Sequence, residues 1–177
     1  MSTFSSARRR TRRSSSTDPS SPDPILDAAR GTTVVGIVQT HGHQDHVQAL
    51  AELKRRLQVP VYAHPGDRYP VAIDHPLADG DEISFGRRSV TALHTPGHTP
   101  GGTCFVCGRH LISGDTLFPG GPGNTNKDKQ AFAQIIESIR TKLFTLPDDT
   151  IVYPGHGRDT TVGTEKPHLE EWIERGW

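Results

Sequence analysis

Six consecutive residues, His41-Gly42-His43-Gln44-Asp45-His46, carry four side chains able to give a lone pair to a metal ion. Three of the chain's 10 histidines fall in this stretch, a density that composition alone does not produce. An ordinary solvated loop also gives no reason for the aspartate among the imidazoles. Imidazole with carboxylate suits zinc, and manganese or iron can occupy similar sets. Where such a loop passes into a helix, His41 and His43 can point at one ion while the next turn aims Asp45 and His46 at a second. Two neighbouring ions can hold a hydroxide at neutral pH, polarise a carbonyl and stabilise the oxyanion that develops on it. No serine or cysteine stands in a convincing nucleophile motif.

Three later segments share one grammar: an apolar strand, then a ligand-type residue, with glycine beside it. They are Thr95-Pro96-Gly97-His98-Thr99-Pro100-Gly101-Gly102, Leu111-Ile112-Ser113-Gly114-Asp115-Thr116 and Ile151-Val152-Tyr153-Pro154-Gly155-His156-Gly157. Any one alone is a weak signal. Together they set His98, Asp115 and His156 at successive strand ends, and open α/β sheets place their sites at the carboxyl ends of strands. His64 and His94 also end strands, and read as hydrogen-bonded loop histidines before they read as partners that orient ligands.

The elements that must position these residues follow from periodicity. Asp23 as cap, Pro24 and Gly31 frame a short helix over 25–30, and the β-branched run 32–38 reads as a buried strand. From Asp45 the spacing of Val47, Leu50, Leu53 and Leu57 predicts one amphipathic helix with basic residues in its last turn. Residues 59–63 predict a strand, 81–85 with 89–94 a hairpin, and 104–106 with 109–113 a second hairpin about Gly108. Phe132, Ile135, Ile136, Ile139 and Leu143 mark one face of a long helix that ends before Pro147, and 150–153 is the last strand. Cys104 and Cys107 form a C-x-x-C, but in a strand residues three apart face opposite ways. They read as two ordinary sheet cysteines in a reducing, cytoplasmic compartment.

At 177 residues the chain has room for one domain with its own core. Residues 1–21 form a low-complexity segment with five arginines, expected to be a disordered tail or a start foreign to the native gene product; 22–177 form the domain. Residues 1–17 carry all five of those arginines and no acid, so with totals of 20 basic and 20 acidic residues the remainder holds 15 against 20 and is acidic. Such a body does not suit nucleic acid, and no run reaches the roughly 20 apolar residues of a membrane span. The expected partner is a small-molecule substrate.

The series H-x-H-x-D-H, T-P-G-H-T-P-G-G, S-G-D-T-L-F and Y-P-G-H-G, in that order from about Asp18 to about Thr164, resembles the metallo-β-lactamase superfamily. The resemblance implies an αβ/βα four-layer sandwich with two ions at one edge. His41, His43 and His98 would bind the first, Asp45, His46 and His156 the second, and Asp115 would bridge them. It also implies that Asp45 orients the attacking hydroxide. The full set is similar to the glyoxalase II-like branch, whereas β-lactamases of the superfamily usually lack the bridging aspartate. The reading is a two-zinc hydrolase of a small ester, thioester or lactone. The segment 118–124 lacks the cysteine and arginine usual in that branch, and little chain follows His156 to grip glutathione. Two alternatives stand beside it. One is a mononuclear iron enzyme like the persulfide dioxygenases, using His41, His98 and Asp115. The other is a truncated, non-catalytic metal binder, because Asp18-Pro19-Ser20-Ser21 resembles the end of the family's first strands and the sandwich is therefore expected to lack them.

Overall fold

A computed structural model of the chain describes residues 21–176, so all but the last residue of the expected tail lies outside the described residues. The elements run α1 (Asp23–Ala28), β1 (Ile37–Val38), α2 (Gln44–Val47), α3 (Leu50–Leu57), β2 (Val61–Ala63), β3 (His75–Pro76), β4 (Glu82–Phe85) and β5 (Arg88–His94). They continue with β6 (Thr103–Cys107), β7 (His110–Gly114), β8 (Leu117–Phe118), β9 (Gly121–Pro122), α4 (Lys129–Ser138), β10 (Ile151–Pro154), β11 (Thr160–Thr161), α5 (Val162–Glu165) and α6 (Leu169–Arg175).

Period-2 alternation in the strands sorts the apolar side chains into three cores, one for each space between four layers. In β1, Ile37 joins Val61, Val47, Leu50 and Leu53 beneath α2 and α3, while Val38 turns the other way to meet Val90, Ala92 and Phe105. In β6, Phe105 faces that middle core and Cys104 faces a third, with Leu111, Val152, Ile135, Ile139, Leu143 and Trp172. The order is helices, small sheet, large sheet, helices, as the resemblance implied. The small sheet is β1-β2-β3, parallel throughout, and the large sheet is β11-β10-β7-β6-β5-β4. Among the described residues β1 is an edge strand. Cys104 and Cys107 are free thiols on opposite faces of β6, as their spacing required.

Strand direction gathers the site. β5 and β7 each pair antiparallel with β6, and β10 pairs parallel with β7, so β5, β7 and β10 all finish at one sheet edge. The β7–β10 ladder shifts register between Tyr153 and Pro154, skipping Ser113 so that Pro154 pairs with Gly114 just before Asp115, a common place for a bulge to re-aim a side chain.

Several elements differ from what the sequence predicts. The expected strand over 32–38 pairs only at Ile37 and Val38, because its partner β2 begins at Val61 and a strand is no longer than its ladder. Val35 is the exposed large hydrophobic among the described residues. Helix α1 starts at Asp23, with no side-chain cap; Asp23 instead pairs with Arg56 Nη1 at 2.9 Å. The single helix expected from Asp45 breaks between α2 and α3, which lets His46 turn to the sheet edge while Leu50 and Leu53 stay in the core. The long helix widens after α4 into a π turn over Ile139–Leu143, where the Phe144 N–H donates to the Ile139 carbonyl five residues back. Strands β3 and β11, the β8–β9 hairpin and helices α5 and α6 carry no periodic signal of their own, since each is two to seven residues long.

Candidate metal centre

Four loops converge at the shared edge. His41 and His43 follow β1, and His43 is the extended residue from which α2 starts, so that Asp45 and His46 sit in its single turn. His98 lies in the loop between β5 and β6, Asp115 leaves β7, and His156 follows β10. The Thr103 N–H donates to the Thr40 carbonyl at 2.8 Å, tying the large sheet to the small one beside the cluster.

All seven side chains named from the sequence meet there. Three overlapping groups have their donor atoms within 4.8 Å of one another: His41, His43 and His98; His41, His46 and Asp115; Asp45, His46 and His156. The outer two are the two sets that the family resemblance implies for separate ions, and the middle one lies between them. His43 Nδ1 stands 2.9 Å from His98 Nε2, and His46 Nε2 stands 3.1 Å from His156 Nε2. Asp45 Oδ2 is 3.0 Å from His156 Nε2. Asp115 faces both sides, with Oδ1 3.3 Å from His46 Nε2 and Oδ2 3.6 Å from His98 Nε2 and 3.8 Å from His156 Nε2. His41 and His46 form a buried floor with the largely buried Asp115, while His43, Asp45 and His156 form an exposed rim.

These spacings fit a metal. Ligands about 2.0–2.1 Å from a tetrahedral ion are about 3.3 Å from each other. Buried polar atoms are normally paired, yet His41 Nε2 is buried with no hydrogen-bond partner, and Asp115 Oδ1 is buried with only the His46 imidazole, 3.3 Å away, beside it. Their other ends are engaged where the ring must be oriented. His98 Nδ1 lies 2.7 Å from the Asn124 carbonyl, which only accepts, so Nδ1 carries the proton and Nε2 presents its lone pair to the cluster. His41 Nδ1 lies 3.1 Å from Thr40 Oγ1. A Cβ on Gly155 would collide with Asp115 Oδ1 and come within 2.6 Å of His46 Cε1, so glycine there leaves room for the cradle.

The electrostatics favour ligand protonation states. Burial, followed by the neighbouring His46, lowers the His41 pKa to about 3. Burial also lowers His98. Burial acts to raise Asp115, but the imidazoles of His46, His41 and His98 outweigh it and hold the carboxylate below its usual range. Asp45 is lowered in the same way, its burial outweighed by His46, its own backbone N–H and His156. Neutral imidazole and ionised carboxylate are the forms that bind cations.

A profile of the Metallo-beta-lactamase superfamily matches residues 15–156, most of the chain. The chain belongs to the metallo-β-lactamase superfamily. Within it, the chain is 34% identical to the probable metallo-hydrolase YqgX of Bacillus subtilis, over 77% of this chain and 75% of that protein. It is 35% identical to the hydroxyacylglutathione hydrolase GloC of Haemophilus influenzae, over 73% of this chain and 72% of that one. Among solved structures, ETHE1 from Myxococcus xanthus superposes with a TM-score of 0.75 at 31% identity, covering 86% of this chain and 72% of that chain. TTHA1623, solved in a di-iron-bound form, superposes with a TM-score of 0.71 at 34% identity, covering 82% of each.

This metallo-β-lactamase fold also uses residues that carry no motif in the sequence. Asp67 accepts from the Gly42 N–H (2.9 Å) and Thr99 Oγ1 (2.7 Å) through Oδ2, and from the Gly101 N–H (2.8 Å) through Oδ1. It thereby ties the His41–His43 loop to the His98 loop. No spacing rule could find it, because its partners are 25 to 34 residues away and two of the three are backbone groups. His64 and His94 stack on each other, ring centroids 3.9 Å apart and 7° from parallel. His94 Nε2 contacts the Pro100 carbonyl at 2.9 Å, and His64 Nδ1 accepts from the Gly66 N–H at 3.1 Å. No helix among the described residues is long and apolar enough to cross a membrane.

Proposed function

We propose that this protein is a dinuclear metal-dependent hydrolase acting on a small ester, thioester or lactone. The observation that carries the reading is the placement of Asp115 between two triads, His41/His43/His98 and Asp45/His46/His156, within reach of both. His41, His43 and His98 would hold one ion and Asp45, His46 and His156 the other, with the Asp115 carboxylate within reach of both sets. When bound, a pair of zinc ions supplies Lewis acidity and a hydroxide nucleophile at neutral pH. Iron is the metal to weigh against zinc, given the di-iron form of TTHA1623.

The chain's own residues supply the rest. Asp45 is half exposed at the rim and held ionised by its neighbours, so its carboxylate can orient an attacking water and take its proton. The Asn124 carbonyl fixes the tautomer of His98. A cavity of about 280 Å³ opens on His98 and Asp115, walled by Phe118, Pro119, Gly121, Pro122 and neighbouring backbone. None of these wall residues is charged, which suits a small neutral group beside the reacting carbonyl. The superfamily resemblance supports an ester or thioester over a β-lactam, since position 115 is aspartate. The relative named hydroxyacylglutathione hydrolase points the same way.

Elemental analysis of purified protein, with His43→Ala and Asp115→Ala alongside, tests this reading. About two zinc ions per chain, reduced in both variants, together with hydrolysis of an ester or thioester that chelation abolishes, is the expected result. A single iron per chain would replace the hydrolase with a mononuclear oxidoreductase. No retained metal would leave a non-catalytic fold.

A further inference from the structure

The β8–β9 hairpin forms one wall of the cavity over the metal centre, and its two ends are held very differently. At the metal end the Gly123 N–H donates to the Thr116 carbonyl, and the Asn124 carbonyl receives His98 Nδ1. The tip at Gly120, where φ is +84°, is held from behind by the chain that follows His156. Glu165, at the end of α5, is 3% exposed. Its Oε2 accepts from the Gly120 N–H at 2.8 Å and its Oε1 accepts from Thr160 Oγ1 at 2.6 Å. Arg175 Nη2 reaches the Gly120 carbonyl at 3.4 Å.

Both hydrogen-bond partners of this buried carboxylate are neutral. Burying a charge is expensive unless hydrogen bonds compensate it, and an apolar side chain would serve plain packing better. A carboxylate here does what an apolar group cannot: it fixes the direction of one peptide N–H. With that N–H turned back towards α5, the peptide plane at the hairpin tip is set, and with it the positions of Phe118, Pro119 and Gly121 along the cavity.

We propose that Glu165 is a positioning residue for substrate. By holding the hairpin tip, the segment from Thr160 to Arg175 sets the shape of the cavity over the metals. The ions themselves do not depend on it, because the metal end of the hairpin is anchored separately. The inference rests on the hydrolase reading for its kinetic consequence and on hydrogen bonding alone for its structural one.

The test compares metal-loaded wild type with Glu165→Ala and Glu165→Gln. Metal content, hydrogen exchange of the peptide spanning 117–124, and kcat and KM on p-nitrophenyl acetate and a short-chain thioester are measured. In Glu165→Ala we expect unchanged metal content, exchange at the hairpin faster by about tenfold, and a KM raised by about tenfold with a smaller change in kcat, since an orphaned N–H and a freed loop cost binding. Glu165→Gln keeps one acceptor oxygen and recovers part of both effects. Wild-type exchange in Glu165→Ala, or loss of metal from it, would overturn the proposal. Should Glu165→Ala not fold, Glu165→Gln decides alone, and wild-type values of both hairpin exchange and KM in it would overturn the proposal. If wild type holds its metals but hydrolyses neither probe, the hydrolase reading fails, while the exchange data still decide the role of Glu165.

Discussion

Replacing Asp67 with alanine removes three hydrogen bonds at once and unties the two loops that carry His41, His43 and His98. The acceptor is ionised, and bonds to charged groups contribute about 1.5–3 kcal/mol each when buried. Asp67 is only half-buried, so a discounted value of about 1 kcal/mol per bond is appropriate, or about 3 kcal/mol for the three. For a chain of this length each kcal/mol moves the midpoint by about 2–4 °C, giving an expected loss of about 6–12 °C. The loops are also packed too closely to adjust freely: a Cβ on Gly42 would press on the Arg68 carbonyl and come within 2.9 Å of Asp67 Cβ. The cost should fall mainly on the ion that His41, His43 and His98 would hold, with affinity there reduced about 10- to 100-fold, as for other residues that orient ligands. Thermal melts of metal-loaded and chelated protein read the first quantity, and competitive chelator titration reads the second. Asp67→Asn, which keeps one acceptor oxygen but turns an amide donor towards other donors, should fall between. An alanine variant that melts within about 1 °C of wild type and keeps both metal affinities would refute the idea that Asp67 holds the loops together.

Three further outcomes follow from the same geometry. Gly155→Ala should cost about 1–3 kcal/mol and most of the bound metal, because its methyl intrudes on Asp115 and His46; unchanged loading by elemental analysis would count against the cradle. Leu53→Ala, at a fully buried position under the small sheet, should lower stability by about 2–5 kcal/mol in a denaturant titration while leaving the metal stoichiometry intact at room temperature. Burial and then His94 lower the pKa of His64 in the folded state, so the unfolded chain takes up its proton first. The stability tied to neutral His64 is therefore present above about pH 6.5 and lost as pH falls below it. Wild type should lose more of its melting temperature between about pH 7 and pH 5 than His64→Gln does, and equal losses would show that the stacked pair has no part in acid sensitivity.

The candidate site was legible in the sequence because ligand-type residues act locally. Four of the seven lie in one run from His41 to His46, and the other three each follow an apolar strand beside glycine. Side-chain alternation is equally local, and it placed Cys104 and Cys107 on opposite faces before any layer was known. Where an element depended on its neighbours, the sequence was a poor guide. The run 32–38 has strand-forming residues throughout, but its ladder extends only as far as β2 offers a partner. The helix from Asp45 keeps its apolar spacing through the break between α2 and α3, so periodicity could not reveal that His46 turns one way and Leu50 another.

By itself, then, the sequence determined which residue types gather at strand ends, and hence the kind of centre they could build. The tertiary structure alone decided how that centre is held. Asp67 reaches backbone N–H groups 25 and 34 residues away, and Glu165 reaches one 45 residues away. Backbone amides are the same at every position, so the donors that these carboxylates select carry no mark in the sequence. They are chosen by where the packed sheets and helices bring the chain, and that is settled only when the three cores have formed.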